Sequence, residues 1–187
     1  MMTLTLHLPP NLQFTDEEFE QIIAVNQDLR LELTAQGELV IMLPIEGETG
    51  NHNFDLLGQL WFWNSKNNLD KAFDSSTSFK LPNGATRSPD ASWIKKQRGN
   101  TLTLQQRKKF LLLRPDFAVE LICETDDLED VQAKMHEYLA NGLQLGWLIN
   151  PQDKQVEIYR PHQAPEVLQF PTSLSGEDVL SGFILNL

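Results

Sequence analysis

The chain has a single cysteine, Cys123, among its 187 residues, which excludes an intrachain disulfide and a cysteine-cluster zinc site. It has no run of about 18 apolar residues, which argues against a membrane-spanning segment. The N-terminal residues lack a basic stretch followed by an apolar block, so we expect no signal peptide and a cytoplasmic location. The length predicts one domain over residues 1–187, with a substantial core.

The sequence motifs of several enzyme classes are also missing. There is no GxxxxGK phosphate loop and no GxSxG nucleophile elbow, and four scattered histidines do not form a zinc motif. A thiol nucleophile at Cys123 is conceivable, with His136 near it in sequence, but the surrounding acidic residues favour the unreactive thiol. Nucleotide hydrolysis of the phosphate-loop type and serine hydrolysis therefore fit poorly.

Acidic residues are in excess overall but absent from one segment. The net charge is -11, which argues against general attraction to nucleic acid. Residues 91–115 nevertheless hold seven basic residues and no acidic residue. This block is a candidate face for phosphate contacts, although a basic run alone is more often a solvated loop and helix. Its members are Lys95, Lys96, Arg98, Arg107, Lys108, Lys109 and Arg114.

The hydrophobic patterns predict an α/β (α+β) domain with a mixed β-sheet flanked by helices. Residues 15–18, Thr-Asp-Glu-Glu, predict a capping box that opens a helix, and residues 29–34 and 39–43 predict a hairpin around Gly37. The remaining predicted elements are strands within 73–81, 87–94, 117–123, 145–149, 155–160, 167–170 and 182–187, a short helix over 101–109 and a capped helix over 126–141.

Between the hairpin and the next strand, the sequence predicts a loop and a helix. Residues 44–50 contain two glycines and are predicted as a loop. Residues 51–66 are predicted as a helix whose core-facing side carries the apolar residues at positions 54, 57, 60, 61 and 63.

Two acidic residues stand in or beside apolar runs that are typical of buried strands. Asp90 follows Pro89 at the start of a strand, and the fixed φ of Pro89 makes Asp90 enter at a defined angle. Glu120 lies inside the run Phe-Ala-Val-Glu-Leu-Ile, where an ionised carboxylate is costly unless a partner neutralises it. Together with the backbone carbonyl of Leu121, they predict a divalent cation site. The alternatives are a turn aspartate at 90 and a buried ion pair at 120.

Three further side chains are candidates for this site. Lys134 borders the apolar stripe of the predicted 126–141 helix, from which its ammonium can reach Glu120, orient a water and stabilise charge on phosphorus oxygens. The alternative is a lysine that extends to solvent. The direction of Glu32 in its strand is ambiguous, so it is a further ligand, a supporting partner or a surface residue. His52 is a candidate for phosphate binding or base catalysis, although a lone histidine is more often structural.

Several short motifs, in this order and spacing, resemble the Uma-two family of restriction endonucleases, within the PD-(D/E)XK nuclease superfamily. The resemblance covers about residues 14–160. The motifs that carry it are Arg30-Leu31-Glu32-Leu33, Gly37-Glu38-Leu39-Val40, Ser88-Pro89-Asp90, Pro115-Asp116-Phe117-Ala118-Val119-Glu120, Lys134-Met135-His136-Glu137-Tyr138, Asn141-Gly142 and Gly146-Trp147-Leu148-Ile149-Asn150-Pro151.

The resemblance implies a restriction-endonuclease-like core with an N-terminal helix and β-hairpin, and a site for Mg²⁺ or Mn²⁺. Asp90 matches the aspartate of the family's Pro-Asp motif, Glu120 matches the acid of the (D/E)XK element, and Glu32 matches the acid of the hairpin. The lysine expected two residues after Glu120 is absent, because Ile122 stands there. Lys134, on the following helix, matches the place from which this family supplies its lysine.

Together, these observations predict a metal-dependent endonuclease that hydrolyses DNA phosphodiester bonds, with Asp90, Glu120 and Lys134 as catalytic residues. The predicted assembly is a homodimer, a state common among such nucleases, and no membrane partner is expected. Two alternatives stay open at this point. One is a catalytically inactive nuclease-fold module that binds nucleic acid or protein, and the other is a structural homodimer whose edge strands pair between subunits.

Overall fold

Two larger β-sheets and four helices account for most of the regular structure in the described part of this chain. The computed structural model describes residues 3–9, 12, 14–67, 70–108 and 110–187. Lys109, one of the predicted phosphate contacts, lies outside the described residues. Among the helices that are described, none combines the length and the apolar composition needed to cross a membrane.

The first sheet has five strands and carries the predicted hairpin. Its strands are β1 (Thr3–Leu6), β2 (Arg30–Leu33), β3 (Leu39–Met42), β5 (Phe79–Lys80) and β6 (Thr86–Arg87), in the order β1-β3-β2-β6-β5. All of its neighbouring strands run antiparallel. Gly37 turns the chain between β2 and β3 with a φ of 87°, a conformation that glycine adopts at little cost.

The second sheet has six strands and forms the centre of the molecule. Its strands are β4 (Asp70–Asp74), β7 (Ala91–Lys95), β8 (Phe117–Leu121), β9 (Leu145–Asn150), β10 (Gln155–Tyr159) and β11 (Glu166–Gln169), in the order β11-β10-β9-β8-β7-β4. The central strands β8 and β9 run parallel, and the other neighbours run antiparallel. A separate antiparallel pair joins β12 (Ser173–Ser175) and β13 (Ile184–Asn186).

The helices are α1 (Asp16–Val25), α2 (Gly47–Asn67), α3 (Lys96–Gly99) and α4 (Leu128–Ala140). Helices α2 and α4 pack on opposite faces of the second sheet, whereas α1 packs through Phe19 against Leu31 and Leu33 of the first sheet. Along β8, Val119 belongs to the core on the α2 side, whereas Ala118 belongs to the core that contains Met135 and Tyr138 of α4. Because side chains alternate along a strand, this phase directs Glu120 to the α4 side.

Most of the predicted elements are confirmed, as is the mixed α/β (α+β) class. Thr15 and Glu18 form the capping box of α1, with the Glu18 N–H donating to Thr15 Oγ1 over 3.2 Å. All five residues of β8 are buried, as expected for a central strand covered on both faces. Asp127 caps α4, and Gly142 follows that helix with a φ of 96°.

The prediction for residues 44–50 is wrong in its second half, because α2 already begins at Gly47. The Gly50 N–H donates to the Glu46 carbonyl over 2.9 Å, and Thr49 Oγ1 donates to the Glu46 carboxylate over 3.2 Å. These two hydrogen bonds stabilise the first turn of α2 despite its two glycines. The predicted core face is also partly wrong: Phe54 and Trp61 are exposed, and Leu56, which was not predicted, is buried, whereas Leu60 is buried as predicted.

Two further local predictions differ from the structure. The helix expected over 101–109 is reduced to a 3₁₀ turn, Gln106–Lys108. There the Gln106 amide oxygen accepts the Thr103 N–H over 2.8 Å, so local side-chain bonding replaces a regular helix. Strands β1 and β12 were not anticipated, because each is only three or four residues long.

The antiparallel pairing of β7 with β8 places the predicted carboxylates together. Asp90 directly precedes β7, and Glu120 is the penultimate residue of β8. In an antiparallel pair the beginning of one strand meets the end of the other, so both residues lie at the same edge of the sheet. The β6 strand ends at Arg87, only three residues before Asp90, and thereby joins the first sheet to this edge.

Candidate active site

Asp90 is buried at the edge where β7 begins, with 5% of its surface exposed. Its Oδ2 accepts the backbone N–H of Leu121 over 2.9 Å. The β7–β8 register would place Pro89 opposite Leu121, and proline has no N–H to donate. The sheet ladder therefore ends here, and the Asp90 carboxylate takes the Leu121 N–H instead.

The carbonyl of Leu121 points to the same edge as Asp90. The Ile122 N–H donates to the Ile149 carbonyl of β9 over 2.9 Å, so the polar groups of Ile122 face β9. Successive residues of a strand direct these groups to opposite edges, which turns the Leu121 N–H and C=O toward β7. One backbone oxygen and the Asp90 carboxylate thus lie on the same side of β8.

Glu120 is buried next to this edge and binds two side chains of α4. The Lys134 ammonium lies 2.9 Å from Oε1 and 3.0 Å from Oε2, and the Tyr138 hydroxyl donates to Oε1 over 2.9 Å. Burial raises the pKa of Glu120 to about 7, with Lys134 opposing the rise and Asp90 and Glu32 adding to it. Continuation of the β7–β8 register places Asp90 opposite Glu120, and both residues line the same cleft.

The α4 helix positions Lys134 and Tyr138 for this contact. The two residues are four positions apart and therefore share a helix face, which lies against β8. Both are nearly enclosed, with 16% of the Lys134 side chain and 1% of Tyr138 exposed. Burial lowers the pKa of Lys134, but the carboxylates of Glu120 and Glu32 outweigh burial and hold that pKa above its ordinary value.

Glu32 of β2 faces the same site, which resolves the direction that its strand pattern left ambiguous. Its Oε1 lies 3.0 Å from the Lys134 ammonium and accepts the Ser88 N–H over 2.7 Å. Its Oε2 lies 3.1 Å from Arg87. Burial alone raises the pKa of Glu32, but Lys134, Arg87 and the Ser88 N–H together hold it below its ordinary value.

Arg87 links the hairpin to α4 and was not singled out from the sequence. Its Nη1 contacts Glu32, and its Nε donates to Glu137 Oε2 over 2.6 Å. The Asn83 amide donates to the other oxygen of Glu137 over 2.9 Å. The only sequence signal for Arg87 was its position next to Ser88, since its two acidic partners lie 55 and 50 residues away.

These residues line one cleft of about 700 Å³ between the first sheet and α4. Asp90, Glu120, Leu121, Lys134 and Glu32 all contribute to its surface. Further acidic residues also line the cleft, namely Glu38, Asp126, Asp127, Asp130 and Glu137. A negatively charged ligand therefore meets a strongly acidic surface in the protein alone.

The comparisons with known proteins agree with the resemblance noted in the sequence. The family described as Uma2, "Putative restriction endonuclease", matches residues 16–187. The chain belongs to the Uma2 family. This membership supports a nuclease.

A solved structure shows the same fold. It is the crystal structure of a protein described as a putative nuclease belonging to DUF820, from Anabaena variabilis ATCC 29413. The TM-score is 0.76, and the match covers 93% of this chain and 94% of that chain at 20% sequence identity. No curated protein matches the chain.

Other residues predicted from the sequence or from the Uma2 resemblance lie away from the cleft. His52 is exposed on α2 and lines a separate shallow depression with Glu124. Lys95 is the last residue of β7, Lys96 follows it, and Arg98 donates to Asp116, which directly precedes β8. In the described part of the basic block, including Arg107, no residue lines the cleft.

Cys123 does not have the properties of a nucleophile. Its side chain is buried, and its Sγ lies 3.1 Å from Asp126 Oδ2. Burial is the main reason that the pKa of Cys123 is raised to about 11, and Asp126 adds to the rise. A thiolate at neutral pH is therefore disfavoured in this Uma2 protein.

The site offers few side-chain donors to a cation, mainly the carboxylates of Asp90 and Glu120. Among the described residues, no group of three or more His, Cys, Asp or Glu side chains is arranged to hold a metal. Mg²⁺ often binds through one or two carboxylates and retains several waters. Asp90 makes no ion pair with another described residue, and burial raises its pKa despite the Leu121 N–H and Lys134. A bound cation would offset the cost of that buried charge.

Proposed function

We propose that this Uma2 protein is a metal-dependent endonuclease that hydrolyses DNA phosphodiester bonds. The observation that carries the proposal is the meeting of two buried carboxylates, Asp90 and Glu120, with Lys134 at one edge of the central sheet. Buried acids with raised pKa values in a cleft are typical of functional sites. Family membership supports nuclease chemistry, and the cleft provides the room for a substrate.

In this proposal, Asp90, Glu120 and the Leu121 carbonyl hold one or two Mg²⁺ or Mn²⁺ ions. Such a cation supplies Lewis acidity at a phosphate oxygen and makes a coordinated water easier to deprotonate. Hard oxygen donors of this type suit either ion. The cation also reduces the negative charge that the acidic cleft presents to a phosphodiester.

Lys134 orients the attacking water and stabilises the charge that develops on the phosphate oxygens. Its ammonium already lies within 3.0 Å of Glu120. A water or a phosphate oxygen bound next to that carboxylate would therefore lie close to the ammonium. Glu32 acts by holding Lys134 from the opposite side, 3.0 Å away. We therefore assign Glu32 a positioning role, while Asp90, Glu120 and Lys134 contact the reacting atoms.

DNA binding by the basic block stays a prediction of this proposal, as do a single domain over residues 1–187 and a homodimer. Lys95, Lys96 and Arg107 are exposed, as a phosphate contact requires. Arg98 is already engaged by Asp116. Because β7 separates Lys95 from Asp90 by about 15 Å, one duplex would have to extend from the cleft along the sheet to reach both.

One observation favours the alternative of a catalytically inactive module. Lys134 binds both Glu120 and Glu32, and Arg87 binds both Glu32 and Glu137, so most of the buried charge is neutralised within the protein. A site that satisfies itself in this way does not require a cation to be stable. Asp90 is the exception, because it has no ion-pair partner among the described residues. A substitution of Asp90 therefore distinguishes the nuclease from the inactive module.

The deciding experiment titrates Mg²⁺ and Mn²⁺ into the wild-type protein and Asp90→Asn by calorimetry, and then incubates both proteins with supercoiled plasmid. Asparagine can still accept the Leu121 N–H, so this change removes the charge with little effect on folding. Glu129→Gln, which removes an exposed acid of α4 outside the cleft, is the matched control.

Metal binding and plasmid nicking by the wild-type and Glu129→Gln proteins, both lost in Asp90→Asn, would support the nuclease. Absence of metal binding and nicking in the wild-type protein would favour the inactive module. Binding of DNA without cleavage, at equal strength in the wild-type and Asp90→Asn proteins, would place the function in nucleic-acid binding alone.

A further inference from the structure

The solvent-facing side of α2 carries three large aromatic side chains that the core does not use. Phe54 is 74% exposed, Trp61 is 66% exposed and Phe62 is 55% exposed. The buried side of the same helix is formed by Leu56 and Leu60, which face the central sheet. The exposed aromatics are therefore not an uncovered part of the core but a second apolar face, which we call the α2 face.

The α2 face is built around a glycine. Phe54, Gly58 and Phe62 are spaced four residues apart and form one row along the helix, with Trp61 beside Gly58. A side chain added at Gly58 would meet no atom within 4 Å, so this position is an open notch between two rings. Glycine in the middle of a helix costs about 1 kcal/mol relative to alanine, which makes its presence at this exposed position informative.

We propose that the α2 face is a homodimer interface in which two copies of α2 cross antiparallel at Gly58. A two-fold axis through Gly58 would bring Phe54 of one copy against Phe62 of the other, at both ends of the notch. The missing side chain lets the helix backbones approach closely, and the aromatic rings fill the space on either side. A self-complementary patch of this kind is what a two-fold interface requires.

The charges on α2 match this antiparallel arrangement. Glu48 lies in the first turn, Lys66 lies in the last, and both are exposed on the same flank of the helix. Within one copy, the Lys66 ammonium lies 3.8 Å from the centre of the Phe62 ring. Reversal of the second helix brings this Lys66 alongside Glu48 of the other copy, and it does so twice because of the symmetry. A parallel arrangement would instead place Lys66 beside Lys66 and Glu48 beside Glu48.

The aromatic rings of the α2 face would form the apolar centre of the interface, and polar side chains would supply the rest. Three aromatic rings at these exposures leave roughly 400 Å² of apolar surface, about half of one side of a standard protein interface. The polar side chains around them supply a rim, as Asn51, Asp55 and Ser65 are all exposed on the same side. The α2 face does not include the residues of the acidic cleft, so this proposal does not depend on nuclease activity.

The experiment measures the oligomeric state of the full chain by sedimentation velocity from about 1 to 100 μM, a range that brackets moderate dimer affinities. We compare the wild-type protein with Gly58→Arg, which fills the notch but suits a helix better than glycine does. Leu104→Arg is the matched control, because Leu104 is also highly exposed but lies outside α2. A dimer in the wild-type and control proteins, weakened at least about 30-fold in Gly58→Arg without loss of folding, is expected.

Cross-linking tests the register of the two helices. Gly58→Cys should form a disulfide between copies under mild oxidation, since the two positions meet at the symmetry axis. Ser65→Cys, seven residues along the same face, should not, because antiparallel copies would hold these residues about 20 Å apart. The native Cys123 is buried and does not interfere.

Three results would overturn the proposal: a wild-type monomer at every concentration, an equally stable dimer in Gly58→Arg, or a cross-link at Ser65→Cys but not at Gly58→Cys. A monomeric chain that still binds a different protein through the α2 face would also contradict it, because the proposed partner is a second copy.

Discussion

Lys134 and Tyr138, one turn apart on α4, bind the same carboxylate, that of Glu120. The lysine contributes a charge and the tyrosine contributes a neutral donor, so the carboxylate is fixed in position from two directions. Glu120 therefore does not depend on a bound cation for its orientation. This relationship makes separate predictions for the two residues of α4.

Replacement of Lys134 by glutamine should reduce both stability and activity. It leaves Glu120 and Glu32 buried side by side without their shared cation, which should lower the free energy of unfolding by about 3 kcal/mol at pH 7.5. The loss should be smaller at pH 5, where Glu120 is protonated. Urea denaturation at both pH values measures the effect, and Lys95→Gln serves as an exposed control. Equal losses at the two pH values would contradict the proposed charge pairing.

Replacement of Tyr138 by phenylalanine should have a milder effect that separates positioning from charge. One hydrogen bond to Glu120 disappears while both contacts with Lys134 remain, so the expected loss of stability is about 1–2 kcal/mol. Plasmid nicking should fall by no more than about tenfold, since a loss of about 1.4 kcal/mol corresponds to one factor of ten. A complete loss of nicking in a folded Tyr138→Phe protein would indicate that the hydroxyl contacts the substrate itself.

Metal affinity should increase with pH between about 6 and 8. Burial raises the pKa of Glu120 to about 7, so below that pH a proton occupies the carboxylate that the cation needs. Affinity for Mn²⁺ should fall by up to about tenfold per pH unit below 7. Calorimetry at pH 6.5 in two buffers of different ionisation enthalpy should detect proton release on binding. Affinity that is independent of pH would exclude Glu120 as a ligand.

The same raised pKa has a defined consequence for the metal-free protein. The ordinary pKa of a glutamate is 4.5, so between about 4.5 and 7 the folded state retains a proton that the unfolded chain releases. The contribution of Glu120 to stability is therefore full below pH 4.5 and declines as pH rises through 7. Glu32 acts oppositely, because its pKa is lowered and its contribution is lost as pH falls below its ordinary value.

Replacement of Glu32 by glutamine should distinguish a positioning residue from a metal ligand. Lys134 and Arg87 each lose a carboxylate, so stability and nicking should both fall. Affinity for Mn²⁺ should stay within about threefold of wild type, because Asp90, Glu120 and the Leu121 carbonyl are unchanged. Loss of Mn²⁺ binding in a folded Glu32→Gln protein would make Glu32 a ligand instead.

Local sequence patterns were enough to predict the elements on which the site is built. An apolar run interrupted only by Glu120 identified β8, and a capped amphipathic pattern identified α4, so the placement of Glu120 and Lys134 followed from their own segments. The pairing of Arg87 with Glu32 and Glu137 was not predictable, because these contacts depend on how two sheets and a helix pack. Periodicity alone also assigned Phe54 and Trp61 to the core, since it cannot tell an inner apolar face from an outer one.

Four consecutive residues, 87–90, connect the two sheets, and each makes or ends a different contact. The Arg87 side chain reaches Glu32 and Glu137, the Ser88 N–H reaches Glu32, Pro89 ends the ladder, and Asp90 takes the freed backbone donor. Insertion or deletion of one residue here would reverse which face each side chain occupies. We therefore expect the length of this connection to be constrained as tightly as its composition.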